Sequence, residues 1–285
     1  MSDTYTNNMT GGALVVIKTY WAQIDGWRRC ACGGFSETMT GGGSCGGSVS
    51  VDVDRVQGGA VFGSNVVVHQ HHAPYEHMTA CYPLDDAAAP YVDHTRLVLD
   101  GAATSPPEPE PGAACQACQQ FAGAQAIQCP SDDLKPSQAF SVSCWAWFPV
   151  QFQAMTMVAR GNAFTLGRSP IATLYAQVVG SSGTTYQAWG QTMLDINRWY
   201  HCAATWTPGD ALRIYLNGNL EGTTATPETS LVSGGSNYLG CLATGGGFLT
   251  GNLQEVRIYG DALDGGWWSA EWANFCAPGF LTLGW

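Results

Sequence analysis

The sequence predicts an all-β chain built around a two-sheet antiparallel sandwich. Three observations carry this reading. Apolar residues alternate with period two over 140–148, 200–206, 212–216 and 253–259. Turn-forming clusters such as Pro208-Gly209-Asp210 and Asn217-Gly218-Asn219 close these runs, the second being suited to a tight hairpin because Asn and Gly accept positive φ at low cost. Charged residues make up only 12% of the composition beside 36 glycines, which disfavours long solvent-exposed helices.

Taken in chain order, residues 13–17 read as a strand and lead into an amphipathic stretch that ends at Trp27. From Gly33 to Ser48 the chain turns to Gly, Ser and Thr, which favours turns. Val49, Val51 and Val53 then alternate with polar residues, and 59–68 ends in a run of valines before a histidine-rich bend. These short strands define an N-terminal β extension over 1–76, with the principal domain over 77–285. Residues 106–111, Pro-Pro-Glu-Pro-Glu-Pro, predict an exposed connection, because each proline lacks a backbone donor and biases its predecessor toward extended geometry. Downstream, the expected core comprises Phe140, Trp199, Ile214, Leu216, Val256 and Ile258, facing a second sheet about 10 Å away. Trp145 and Trp147 fall on the opposite side of their strand from Cys144 and Ala146. Only 268–275 has the pattern of a short helix.

The net charge is −11 with two lysines, Lys18 and Lys135, so no phosphate-neutralising surface for nucleic acid is expected. No apolar run reaches the roughly 20 residues that cross a bilayer, so no membrane insertion is expected. The first residues lack the basic and apolar regions of a secretory signal, which places synthesis in the cytoplasm unless a leader has already been removed. Eleven cysteines leave at least one unpaired within a monomer. Cys81, Cys144, Cys202 and Cys241 are expected as buried thiols acting as small hydrophobes. Cys30 and Cys32 with Cys45, and Cys115 and Cys118 with Cys129, sit among small and polar residues, leaving disulfide, thiolate-metal and free-thiol readings open. His69, His71, His72 and His77 form the densest imidazole group, read either as a polar edge or as part of a tetrahedral metal site.

Four segments, in order, carry a resemblance: Phe140-Ser-Val-Ser-Cys-Trp-Ala-Trp-Phe148, Trp199-Tyr-His-Cys-Ala-Ala-Thr-Trp206, Leu212-Arg-Ile-Tyr-Leu-Asn-Gly218 and the run from Phe248 to Tyr259. Together with Tyr82-Pro-Leu-Asp-Asp86 they resemble laminin-G-like, concanavalin A-like jelly-roll domains of the kind found in bacterial and phage surface proteins, over about 78–275. The resemblance implies that Gly251 breaks the closing strand, that Glu255 and Arg257 share a face, and that the residues after 269 are a surface-protein tail. The family includes glycan-binding, protein-binding and architectural members. Members that bind calcium use loop-rim oxygens, and Asp85, Asp86, Asp93, Asp195, Asp210 and Asp261 are the available acids. Their spacing forms no cluster, so no cofactor is expected, with one bound calcium as the alternative to solvent-facing or capping roles.

No catalytic constellation emerges. Glu108 and Glu110 lie in the proline-rich connection, Glu255 is matched by Arg257, and neither a nucleophile elbow nor a phosphate-cradling loop is present. The expectation is therefore a noncatalytic structural and attachment protein, a phage decoration or tail-associated component on the virion exterior. Its partners would be copies of itself, other virion proteins and a host-surface glycan or protein. The alternative is a soluble extracellular carbohydrate-binding module. Candidate contact residues are Trp145, Trp147, Tyr186, Trp189, Trp267 and Trp268, with packing inside the chain as the competing role for each. Tyr186 and Trp189, in the Gly-rich 180–191 segment, are the candidates for a rim contact that stacks on sugar faces.

Overall fold

The computed structural model describes the backbone of strands between residues 4 and 69, and residues 78–276 except 96, 114–116 and 132–133; side chains are described for 78–273 with the same exceptions. The chain divides into two compact units, one of residues 1–77 with 273–285 and one of 78–272.

In the first unit, β1 (Thr4–Asn8), β2 (Leu14–Thr19), β3 (Phe35–Thr40) and β6 (Arg55–Gln57) form a sheet in the order β1-β2-β3-β6. β4 (Ser44–Cys45) pairs in parallel with β7 (Val61–Phe62), and β5 (Ser50–Asp52) with β8 (Val67–His69). The run read as a strand at 13–17 thus overlaps β2, and Val51 of the alternating valines falls on β5. The amphipathic stretch to Trp27 and the side chains of the histidine group lie outside the described residues.

The second unit is the expected sandwich. Its larger sheet runs β10 (Glu108–Pro111), β11 (Ala117–Ala122), β22 (Thr250–Tyr259), β13 (Phe140–Trp147), β18 (Trp199–Trp206), β19 (Ala211–Leu216), β20 (Asn219–Ala225). β9 (Met78–Tyr82) pairs with the second half of β22, beside β11 on its first half. The other sheet has the order β12 (Ile127–Ser131), β21 (Ser236–Leu239), β14 (Met155–Arg160), β15 (Phe164–Arg168), β16 (Thr173–Val179), β17 (Thr185–Met193).

Period-two geometry decides what enters the core. From β13 come Phe140, Val142, Cys144 and Ala146, and from β18 Tyr200, Cys202, Ala204 and Trp206; all are buried against Val158, Phe164, Leu166, Ala176 and Val178 of the facing sheet. Phe140 and Phe164 meet edge to face at 5.0 Å, the geometry that aromatic quadrupoles favour. Trp206 satisfies its one donor with Thr226 Oγ1 at 3.1 Å. Each large side chain so buried contributes about 1.5–3 kcal/mol.

Four expectations need correction. Trp199 is half-buried and outside the core, because it alternates with Tyr200 and so faces the other way. The proline-rich segment is exposed but not merely a connection: Glu108–Pro111 is an edge strand, where a missing donor costs least. The closing strand runs through Gly251, where a Cβ would collide with the Trp147 carbonyl, so glycine admits close strand approach and does not break the ladder. Cys144, Cys202 and Cys241 are buried free thiols as expected, but Cys81 is disulfide-bonded. Cys118 and Cys129 are buried free thiols on strands of different sheets, so they do not staple a loop. Burial pushes their pKa values up, to about 11 for Cys118 and about 12 for Cys129.

Helix α1 (Gly265–Cys276) starts three residues before its sequence pattern does, because Asp264 caps it: Trp267 N–H donates to Asp264 Oδ1 at 2.9 Å. Trp268 of α1 packs beside His201, Tyr215 and Tyr259, residues on the outer face of the larger sheet. One outer face of the sandwich is therefore occupied from within the chain.

Candidate functional site

Among the described residues, the outer face of the six-stranded sheet gathers aromatic and amide groups that strand alternation turns away from the core. Leu174, Ala176 and Val178 of β16 point inward, so Tyr175 and Gln177 point outward. On β17, Ala188 is inward and Gln187 and Trp189 are outward. Register then places Tyr175 opposite Trp189 and Gln177 opposite Gln187. The two rings stack with centroids 5.5 Å apart and planes 26° from parallel, and Trp189 remains 45% exposed. Gln187 Nε2 donates to Gln177 Oε1 at 2.8 Å. That bond uses one donor of one amide and one lone pair of the other, so both keep hydrogen-bonding capacity for a ligand.

Neighbouring strands support this pair. Gly167 on β15 lies opposite Tyr175, and a Cβ there would sit 2.7 Å from Tyr175 Cε1, so glycine is what lets the phenol ring lie against the sheet. Burial pushes the Tyr175 phenol pKa up, opposed by a hydrogen bond with the Thr156 side chain. In the next row, Gln128, Tyr238, Ala159, Thr165, Gln177 and Gln187 lie opposite one another across all six strands. No residue in these two rows carries a charge.

The two ends of β17 are held by carboxylates. Glu221 of β20 accepts from Gln191 N at 3.0 Å, Thr192 N at 2.9 Å and Thr192 Oγ1 at 2.8 Å, fixing the irregular end of β17. At the other end Glu228 accepts from Ser181 Oγ at 3.3 Å and from Ser182 Oγ, and it lies 3.5 Å from the Tyr186 hydroxyl.

The six sequence candidates separate. Trp189 is on the exposed face. Tyr186, three residues earlier and hence on the opposite side of β17, packs against the core. Trp145 and Trp268 are buried at 3% and 0% exposure, and internal packing consumes both. Trp147 is half-buried, opposite Trp199, and Trp267 is half-buried against the edge of Tyr259. The structure therefore does not gather the six into one surface. The other residues of this face, Tyr175, Gln177, Gln187 and Tyr238, were not among the sequence candidates; the signal that places them there is the outward parity of Tyr175-x-Gln177 and Gln187-x-Trp189 around small apolar residues.

Two chemical alternatives fail on geometry. Under α1, Ser143 Oγ lies 3.1 Å and His201 Nε2 3.6 Å from Glu271 Oε1. The carboxylate thus stands between hydroxyl and imidazole, whereas nucleophile activation needs the imidazole in the middle, and all three side chains are buried. Of the acids offered for calcium, three are already engaged. Asp93 spends both oxygens on donors, namely Cys81 N, Thr95 N, Thr95 Oγ1 and Leu99 N at 2.7–3.0 Å, while Asp195 and Asp210 face Arg198 and Arg213. Among the described residues no three metal-ligating side chains converge.

Comparison with known proteins places this geometry. The family described as Concanavalin A-like lectin/glucanases superfamily (Laminin_G_3) matches residues 121–266. Domain 4 of AbnA, a GH43 extracellular arabinanase from Geobacillus stearothermophilus in complex with arabinotriose, is similar at 20% identity and TM-score 0.55, over 68% of this chain and 97% of that one. The binding domain of Paraclostridial Mosquitocidal Protein 1 is similar at 10% identity and TM-score 0.59, over 70% of this chain and 52% of that one. A botulinum neurotoxin type C structure, whose cell entry depends on interaction with two ganglioside molecules, is similar at 11% identity and TM-score 0.56, over 71% of this chain and 52% of that one. The chain thus spans about half the length of the two toxin chains. These identities establish a shared fold. No curated protein matches the chain.

Proposed function

The chain belongs to the concanavalin A-like lectin/glucanase superfamily, and from that premise we propose that it is a noncatalytic, extracellular carbohydrate-binding module. The observation that carries this reading is the exposed Tyr175–Trp189 stack beside the Gln177–Gln187 amide pair on one sheet face. A sugar ring presents an apolar C–H face and a rim of hydroxyls. An aromatic platform desolvates the first, and amides with both donors and acceptors match the second. Two of its structural neighbours support the same class, the arabinanase domain by its bound arabinotriose and the botulinum neurotoxin by its interaction with gangliosides. A noncatalytic role is in keeping with this face, because its two rows hold no carboxylate, whereas glycoside cleavage of the usual kind uses two. The virion role has no comparable observation behind it, since none of the neighbours named is a virion protein, and its attachment function reduces to glycan recognition.

Affinity electrophoresis in gels containing arabinan, xylan, mannan or β-glucan tests this. At least one polysaccharide is expected to retard the protein, Trp189→Ala is expected to remove the retardation while the far-ultraviolet spectrum stays unchanged, and no reducing ends should be released on incubation. Retardation unaffected by Trp189→Ala would exclude this face, and release of reducing ends would exclude a noncatalytic role.

A further inference from the structure

We infer that the face selects uncharged glycans and rejects those bearing carboxylate or sulfate; this rests on the carbohydrate-binding reading and narrows it to a ligand class. The outward residues of its two rows, among them Gln128, Tyr238, Tyr175, Gln177, Gln187 and Trp189, are all neutral. This is not a general shortage of cations near the sheet. Arg160 and Arg168 belong to β14 and β15, yet both guanidinium groups turn away from this face. Arg160 donates to the Leu134 carbonyl, and Arg168 donates to the Val150 carbonyl at 2.7 Å and lies over the Phe148 ring. They are 6% and 0% exposed, so neither is available to an external anion.

The fixed charges at the two ends of β17 have the wrong sign for an acidic ligand. Glu221 closes the Trp189 end of β17 and Glu228 the hairpin end, and each is held in place by hydroxyl donors, with backbone amides adding to the hold on Glu221. Glu228 titrates below its ordinary value because the Ser182 hydroxyl hydrogen-bonds it, so it stays anionic in weak acid. The chain as a whole carries −11. Among the described residues, a uronate, sialate or sulfate laid on Trp189 would lose water without meeting a guanidinium or ammonium from the two rows, the groups that compensate anion desolvation. Neutral sugar hydroxyls incur no such loss, because Gln177 and Gln187 return both kinds of hydrogen bond.

A glycan panel tests this with the whole chain. Immobilised arabino-, xylo-, cello-, manno- and galacto-oligosaccharides supply the neutral arm, and oligogalacturonate, sialyl-lactose and heparin oligosaccharides the acidic arm; titration calorimetry follows on whatever is bound. The expected result is binding confined to the neutral arm, weakened at least tenfold by Trp189→Ala and several-fold by the exposed Gln187→Ala. Acidic glycans bound as tightly as neutral ones, with the same sensitivity to Trp189→Ala, would overturn the selectivity and leave the carbohydrate-binding reading standing. Binding to neither arm would overturn both. Neutral binding insensitive to both substitutions would move the site elsewhere and overturn the inference.

Discussion

Glu271 is the carboxylate on which the buried partners of α1 converge. It pairs with Arg257 Nη1, receives Ser143 Oγ and lies beside His201, while Arg257 Nη2 reaches Glu255 at 2.9 Å. Burial alone would raise its pKa, yet the Arg257 guanidinium, the neighbouring His201 and the Ser143 hydroxyl together outweigh this and hold Glu271 at about 2, against an ordinary 4.5. A depressed carboxylate contributes stability above its unfolded value and loses it as pH falls through its folded value. Unfolding free energy is therefore expected to drop between pH 4.5 and about 2, and Glu271→Gln to flatten that drop by about one proton. Glu255 does not mask the effect. Burial pushes it upward, so its contribution is lost as pH rises and is constant below 4.5. Removing the charge at Glu271 leaves Arg257 with Glu255 alone, and urea denaturation at pH 7 should register about 3 kcal/mol of destabilisation.

The β19–β20 hairpin and α1 form one mechanical piece. Asn217 and Gly218 both have positive φ, 49° and 79°, giving the tight two-residue reversal that the sequence announced. Ser269 Oγ of α1 donates to the Gly218 carbonyl at 2.8 Å, and a Cβ at Gly218 would lie 2.7 Å from Ser269 Cα. Gly218→Val thus offends both the turn and the helix contact, and a loss of about 2 kcal/mol is expected in chemical denaturation. Asp264→Ala, which removes only the cap, should cost about 1 kcal/mol. Elements of this kind were legible because Asn-Gly and strict alternation act locally. β14 and β15 were not: every residue of both strands is buried, so no apolar-polar rhythm marks them. That loss hid the six-stranded sheet and, with it, the proposed face. Trp189 was legible as a candidate contact aromatic, but its stacking partner Tyr175 is fourteen residues away and is brought in by strand register alone. Tyr186 was paired with Trp189 by proximity in sequence, which an odd spacing on a strand contradicts.

For the whole molecule, the sandwich stores its thiols out of reach. Cys118, Cys129, Cys144, Cys202 and Cys241 are buried and free, and burial raises the pKa of each. A disulfide-exchange reagent should find none of these five in the native protein and all five in guanidinium without reductant, whereas Cys81 should react only after reduction. Mass mapping of the labelled peptides checks all six positions. Five free thiols reactive in the native state would mean that the two sheets open readily. Among the described arginines, Arg160, Arg168 and Arg257 are likewise enclosed, whereas Arg198 and Arg213 stay accessible beside Asp195 and Asp210. A neutral glycan taken up on the proposed face would release no condensed counterions and draw on no long-range attraction. A tenfold change in ionic strength should therefore leave glycan affinity within a factor of about 2, so the same grip would hold in dilute fresh water and in brine.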